Sequence, residues 1–191
     1  MPRTVCEIGL DNDLECERLM KYSKERLECA DLMMIRDFAL DFFRKWPYCS
    51  GFEKELLAIA LCQGAANHFV VCQGMASKYF DTEKSGIKDL DIWFFFKKTD
   101  GKRFNPRWQY QQDLGPSKFG NSPDDVGYRG RRVDFFGRSI ISEEMGIEDS
   151  IKYWLHHGGG RSPGLILQKA VIGLYPEEIL CKPIWINPKL I

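Results

Sequence analysis

The sequence predicts an α/β protein, in finer terms α+β, in which a small mixed sheet is flanked by helices. Three short apolar runs have the length and composition of buried strands: 56–62, 89–96 and 131–136. Residues 31–45 instead space their apolar side chains as one face of a helix does. The Asp100-Gly101 pair is typical of a tight hairpin turn and adds an antiparallel connection.

Helices are predicted on both sides of the first apolar run. Residues 13–46 are expected to form two helices, of which the second spans 31–45 and ends at Trp46, because the residue before a proline avoids helical dihedral angles. A further helix is expected over 65–79. Periodicity alone leaves open whether 56–62 is a strand or the end of a helix.

The middle of the chain is predicted to carry most of the sheet. The strand at 89–96 leads into the Asp100-Gly101 turn, so an antiparallel partner strand is expected over 103–110. A long polar loop at 115–123 then separates this hairpin from the strand at 131–136.

The C-terminal part is predicted to be helical. One helix is expected over 143–156 and a shorter one over 163–172, with 179–191 packing back as an extended segment. At 191 residues the whole chain, 1–191, is expected to form a single domain. Its core would occupy 50–140, and 141–191 would form a helical extension.

The charge is balanced overall but unevenly distributed. The 191 residues carry 27 Lys and Arg against 27 Asp and Glu, which argues against a protein that coats nucleic acid by charge alone. Residues 97–138, however, hold ten Lys or Arg and five Asp. This basic block predicts a polyanionic substrate, or else consists of ordinary charged loops between strands.

The seven cysteines are odd in number and none has C-x-x-C spacing, so neither a zinc ribbon nor a disulfide framework is expected. No stretch reaches the roughly 18 apolar residues that a membrane helix needs, and the polar start does not resemble a signal peptide. A cytoplasmic protein that does not contact a membrane is therefore expected.

Two aspartates open the most apolar strand of the chain. Asp89 and Asp91 are two residues apart, so in a strand both carboxylates point to the same side. The run that follows them is fully apolar, and a charge in such a run is costly unless it is paired or bound to a metal. The pair therefore predicts a site for a hard divalent cation such as Mg2+, with two solvated acids at a strand edge as the alternative.

Three segments then follow in a recognisable order: Gln63-Gly64-Ala65 before a helix, Asp89-Leu90-Asp91 opening a strand, and Asp134 within a second strand. This order resembles the nucleotidyltransferase superfamily of polymerase beta, the CCA-adding enzymes and many small bacterial and archaeal proteins. The likeness covers roughly 56–136. Ala65 departs from the Gly or Ser that the family has there.

The resemblance implies a nucleotidyltransferase-like core and a role for each matched residue. Asp89, Asp91 and Asp134 would bind Mg2+ or Mn2+, and Asp134 would also help to deprotonate the attacking hydroxyl. Gly64 and Ala65 would present backbone amides to the phosphates of a nucleoside triphosphate. Two cations are further phosphate-binding candidates. Arg132 shares a strand face with Asp134 and would either contact the triphosphate or form a salt bridge to Asp134, and Lys118 lies in a glycine-rich loop.

The predicted function is transfer of a nucleoside monophosphate from an NTP to a hydroxyl of a small molecule, an RNA end or a protein, with a toxin–antitoxin pair as one setting and thus a protein partner. Two alternatives remain open. One is an inactive nucleotide-binding or interaction module of the same fold. The other is a glycosyltransferase whose Asp-x-Asp holds a metal and a sugar nucleotide.

Overall fold

The structure is a computed structural model that describes residues 25–72, 87–105, 108–122, 124–142 and 144–190, without the side chains of residues 68 and 70–72. Its helices and strands, in chain order, are α1 Cys29–Lys45, β1 Leu56–Cys62, α2 Gln63–Cys72, β2 Leu90–Lys97, β3 Gln109–Asp113, β4 Arg132–Ile140, α3 Ile147–His157, α4 Ser162–Leu167, β5 Ala170–Tyr175 and β6 Pro183–Ile186. Short 3-10 turns at Glu177–Ile179 and Pro188–Leu190 flank β6.

The strands form one mixed sheet in the order β3-β4-β2-β1-β5-β6. Strands β2 and β4 pair in parallel, whereas the other neighbours pair antiparallel. The predicted small mixed sheet with flanking helices is therefore confirmed. The apolar run at 56–62, which periodicity could not assign, is strand β1.

Helices cover both faces of the sheet. On the first face, which we call the α1 face, Ile92, Phe94 and Phe135 pack with residues of α1 and α2. On the second, which we call the α3 face, Trp93 and Phe95 pack with residues of α3 and α4. Strand β2 is thus buried on both sides, which explains why its sequence is almost continuously apolar.

Helix α1 confirms the prediction for 31–45 and begins two residues earlier. Glu28 and Asp31 form a capping box, in which the Glu28 amide donates to Asp31 Oδ2 at 2.7 Å. The helix ends at Trp46, before Pro47, as expected. The other N-terminal helix predicted within 13–46 falls largely on residues before 25, outside the described part. The helix expected over 65–79 is seen as α2 up to Cys72, and the remainder lies outside the described residues.

The predicted hairpin partner over 103–110 is wrong. Thr99 and Lys102 do form a tight bridge around the Asp100-Gly101 turn, but 103–105 is not a strand. The next strand, β3, begins at Gln109 and pairs with β4. The physical reason is that both edges of β2 are already occupied, by β1 on one side and β4 on the other.

The C-terminal part is only partly helical. Helix α3 matches the prediction for 143–156, shifted toward the C-terminus, but the helix predicted over 163–172 stops at Leu167. Residues from Ala170 onward form β5, which pairs with β1 in the interior of the sheet. The expected extended tail is present as β6, on the outer edge of β5. Residues 141–191 therefore complete the sheet as well as covering it.

One disulfide contradicts the expectation from the cysteine pattern. Cys29, at the start of α1, is bonded to Cys181, after β5. Neither spacing nor count indicated this pair, because the two residues are 152 positions apart and meet only in the fold. The cytoplasmic setting stays a prediction. Within the described ranges, no helix combines the length and the apolar character needed to cross a membrane.

Gly173 in β5 allows the chain to fold back over its own strand. A Cβ there would overlap the carbonyl oxygen of Ile179, which is backbone and has little room to move. We expect Gly173→Ala to lower the free energy of unfolding by about 2–3 kcal/mol, measured by urea unfolding. Gly159→Ala is the matched control, because a Cβ at Gly159 meets open space. Equal stability of the two variants would contradict this packing.

Candidate active site

Four polar residues form a row across four neighbouring strands. Asp91 of β2 is in register with Asp134 of β4 on one side and with Cys62 of β1 on the other. Gln111 of β3 is in register with Asp134. Because residues in register on adjacent strands lie about 5 Å apart and point to the same face, the sheet brings the predicted acids Asp91 and Asp134 side by side. Both lie on the α3 face.

Arg132 is the cation nearest to these acids. Its Nη2 donates to Asp89 Oδ2 at 2.5 Å and its Nη1 donates to Asp125 Oδ1 at 3.0 Å. Its Nε lies 3.1 Å from Asp134 Oδ1. That last contact is an ion pair but not a hydrogen bond. Both atoms are buried, and neither has a hydrogen-bond partner. The predicted salt bridge to Asp134 is thus present, and one guanidinium faces three carboxylates.

Asp91 is the acid in this group without a counter-charge in contact. Among the described residues it has no hydrogen bond or ion pair, although the carboxylates of Asp89 and Asp134 are close enough to repel it. Burial, followed by the charges of Asp89 and Asp134, raises the pKa of Asp91 to about 8, against the attraction of Arg132. Near neutral pH this carboxyl group therefore either holds a proton or requires a cation.

Asp134 is buried but better supported. Burial raises its pKa, and the charges of Asp89 and Asp125 add to that effect. Arg132 and a hydrogen bond donated by the Gln111 side chain oppose the increase. Arg132 thus contacts the carboxylates of Asp89, Asp125 and Asp134, and Asp91 lies beside them without such a contact; we call these five residues the acidic cluster.

Asp125 was not predicted, since it lies in a polar loop whose path the sequence does not specify. Two other residues that hold this loop were also missed in that role. Asp113, at the end of β3, accepts hydrogen bonds from the backbone amides of Gly115, Arg129 and Gly130 at 2.8–2.9 Å. Arg131 donates to the carbonyls of Phe119 and Lys88. These bonds hold the segment before β4 against the segment before β2, and so position Arg132 beside Asp89.

The predicted phosphate turn lies next to the acids. Gly64 and Ala65 lie in the first turn of α2, which begins at Gln63 directly after Cys62, and Cys62 is in register with Asp91. Gln63 has a φ of 64°, a left-handed conformation that is uncommon for a residue with a side chain. Gly64 is exposed, whereas the Ala65 side chain is buried in the core on the α1 face. This turn can therefore offer backbone amides to a ligand but no hydroxyl group.

Lys118 is engaged elsewhere. Its Nζ lies 2.7 Å from Asp31 Oδ2 in the first turn of α1, so its described ion pair is with α1 and not with the acidic cluster. The structure thus brings together Asp89, Asp91, Asp134, Arg132 and the start of α2. The phosphate-binding role of Lys118 stays a prediction.

The described residues contain no group of three or more His, Cys, Asp or Glu side chains already arranged to hold a metal ion. Asp91 and Asp134 nevertheless suit Mg2+, which accepts carboxylate oxygens and keeps several waters. Asp91 lacks a counter-charge in contact, and Asp134 Oδ1 is buried without a hydrogen-bond partner. Asp89 could join them only after Arg132 releases it.

A scan against protein-family models and searches of curated proteins and of solved structures found no match to this chain. The resemblance to nucleotidyltransferases therefore rests on the sequence motifs alone.

Replacing Arg132 should expose how much the acids depend on it. We expect Arg132→Met to lower the free energy of unfolding at pH 7 by about 3 kcal/mol, because it leaves buried carboxylates uncompensated. The deficit should shrink near pH 4, where carboxyl groups take up protons. Lys152→Met is the control, because its partners Glu148 and Asp149 are on the surface at 3.6 and 3.9 Å, and about 0.5 kcal/mol is expected. Equal losses in urea unfolding would contradict the role given to Arg132.

Asp91 should make the metal-free protein less stable as the pH rises. Its folded-state pKa of about 8 lies above the ordinary value of 3.8, so folding favours the protonated form. Its stabilising proton is fully present below about pH 4 and is lost as the pH rises through 8. With a chelator present, Asp91→Asn should remove up to about 1.4 kcal/mol per pH unit of this slope, measured by urea unfolding at several pH values. An unchanged slope would show that Asp91 is ionised in the metal-free fold.

Proposed function

We propose that this protein is a metal-dependent nucleotidyltransferase, which moves a nucleoside monophosphate from an NTP to a hydroxyl acceptor. The observation that carries the proposal is the parallel pairing that sets Asp91 beside Asp134 on one face, with no counter-charge in contact with Asp91 among the described residues. Two buried carboxylates without a sufficient counter-charge destabilise the fold, but they are suitable ligands for a divalent cation.

Asp91 and Asp134 would hold Mg2+ or Mn2+, and Asp89 would join them once Arg132 had turned away. When bound, the cation supplies positive charge where negative charge develops on the phosphate oxygens. The raised pKa of Asp91 fits this role, because the same repulsion that favours a proton in the free protein favours a divalent cation in the complex.

The protein's own residues would accept the proton of the acceptor hydroxyl and bind the phosphates. The acceptor oxygen bonds to the α-phosphorus as the bond to the bridging oxygen breaks, and pyrophosphate leaves with that electron pair. Asp134 Oδ1, which is buried and has no hydrogen-bond partner among the described residues, accepts the proton of the hydroxyl. Arg132, released from Asp89, neutralises the departing phosphates. The exposed Gly64 and the amides at the start of α2 lie beside them.

An inactive nucleotide-binding module of the same fold is the second candidate. One observation favours it: Arg132 already occupies Asp89 through the 2.5 Å contact and thus neutralises one of the acids without any metal. The two candidates differ in turnover. A transferase given Mg2+, an NTP and its acceptor releases pyrophosphate, whereas a binding module does not. The acceptor class and any toxin–antitoxin partner stay predictions.

Calorimetric titration of ATP, GTP, CTP and UTP, with and without Mg2+, tests the nucleotide site. We expect at least one triphosphate to bind only with Mg2+, and Asp91→Asn to weaken that binding by tenfold or more, because a neutral amide is a poor ligand for a hard cation. Asp100→Asn, an equal charge change in the exposed turn after β2, should bind like the wild type.

Either of two results would contradict the proposed nucleotidyltransferase function. One is a folded wild-type protein that binds none of the four triphosphates. The other is binding that is indifferent to Mg2+ and to Asp91→Asn.

A further inference from the structure

A cavity of about 310 Å³ lies at the far end of β4 from the acidic cluster. It is formed where β4 leaves the sheet and where α3 ends at Gly158 and Gly159. Its walls are cationic and aromatic, with side chains from Lys98, Arg103, Arg138, Tyr153, Trp154 and His157. No Asp or Glu is among the described residues that line it.

The cations of this cavity have no partners within the described part of the protein. The side chains of Lys98, Arg103 and Arg138 make no ion pair or hydrogen bond there, and Arg138 Nε is buried without an acceptor. Burial and the neighbouring Arg103 lower the pKa of Arg138. A buried donor without an acceptor costs on the order of 1–3 kcal/mol of stability. An anion that entered the cavity and accepted a hydrogen bond from Arg138 Nε would remove this cost.

The charge count favours a dianion. Lys98, Arg103 and Arg138 bring three positive charges into one cavity. The carbonyl end of α3 offsets only about half a charge, which leaves a clear excess of positive charge among the described lining residues. A guanidinium presents a planar fork that matches two oxygens of a phosphate, and a phosphate monoester carries close to two negative charges at neutral pH.

The cavity also offers a flat apolar surface beside its cations. Tyr153 is stacked on His157 with ring centroids 4.4 Å apart, and it is 42% exposed. Trp154 lies beneath, with Gly158 so close that a Cβ there would overlap it. The volume is at the small end of ligand pockets. We propose that this cavity binds a small phosphate monoester whose organic part carries an aromatic ring.

This site is separate from the proposed nucleotidyltransferase site. Arg138 is four residues beyond Asp134 on the same strand and face, which corresponds to about 13 Å. Trp93, Phe136 and Trp154 fill the space between them, with the Trp93 and Phe136 rings stacked at 4.9 Å. The proposed phosphate monoester site is therefore independent of the acidic cluster and of the function proposed for it.

Calorimetry with phenyl phosphate tests the proposal, with inorganic phosphate and dimethyl phosphate as the comparison ligands. We expect phenyl phosphate to bind more tightly than inorganic phosphate, which lacks the ring. Dimethyl phosphate, a monoanion, should bind most weakly. Arg138→Gln and Arg103→Gln should each weaken phenyl phosphate binding about tenfold or more, as expected when a charged hydrogen-bond donor is lost.

Arg44→Gln is the matched control, because it removes the same charge from an exposed position on α1, on the opposite face of the sheet. It should leave phenyl phosphate binding unchanged. Ligand-free Arg138→Gln should be at least as thermally stable as the wild type, because the Arg138 side chain has no partner among the described residues. If that variant does not fold, the exposed Arg103→Gln decides the binding test.

Three outcomes would overturn the proposal: no binding of phenyl phosphate to the folded wild type, equal weakening by Arg44→Gln and Arg103→Gln, or dimethyl phosphate binding as tightly as phenyl phosphate. None of these outcomes bears on the triphosphate titrations.

Discussion

The parallel pairing of β2 with β4 is the constraint on which the rest of the structure depends. Eight registered pairs, from Leu90 with Val133 to Lys97 with Ile140, fix one strand against the other. At the start of this ladder the register sets one acid beside another, and it places Arg132 within reach of Asp89. At its end the same ladder delivers Arg138 to the basic cavity. A slip of β4 by one residue would turn Arg132, Asp134 and Arg138 to the other face of the sheet.

The sequence was sufficient for the local features and insufficient for the distant ones. The i and i+2 rule correctly put Arg132 and Asp134 on one face, because that rule needs only the strand. The partner of β2 was mispredicted, because a strong Asp-Gly turn says nothing about whether the edge beside it is free. The first residues of β5, 170–172, were predicted as the end of a helix, because a short apolar run after a helical start carries no decisive period. Asp125 and the Cys29–Cys181 pair could not be predicted, since only the fold brings each to its partner.

The basic block of 97–138 is also clearer in three dimensions. Its positive charges do not form one surface, since Arg131 and Arg132 are used internally, by backbone carbonyls and by the acidic cluster. Lys98, Arg103 and Arg138 are instead left together in the cavity at the other end of β4. One face of the sheet therefore carries an acidic end and a basic end with a buried aromatic layer between them. A near-zero net charge conceals this polarity completely.

The disulfide has a mechanical consequence. The bond between Cys29 and Cys181 closes a loop of chain that contains β1 to β5 and the four described helices. Of the six strands described, only β6 lies outside this covalent ring. Tension applied between the two ends of the chain would pass through the sulfur bridge and bypass almost the whole sheet. Of the described strands, only β6 would be pulled from the sheet, while roughly 500 Å of chain within the ring stayed unstretched. After reduction of that one bond, the applied force would act on the strands of the sheet.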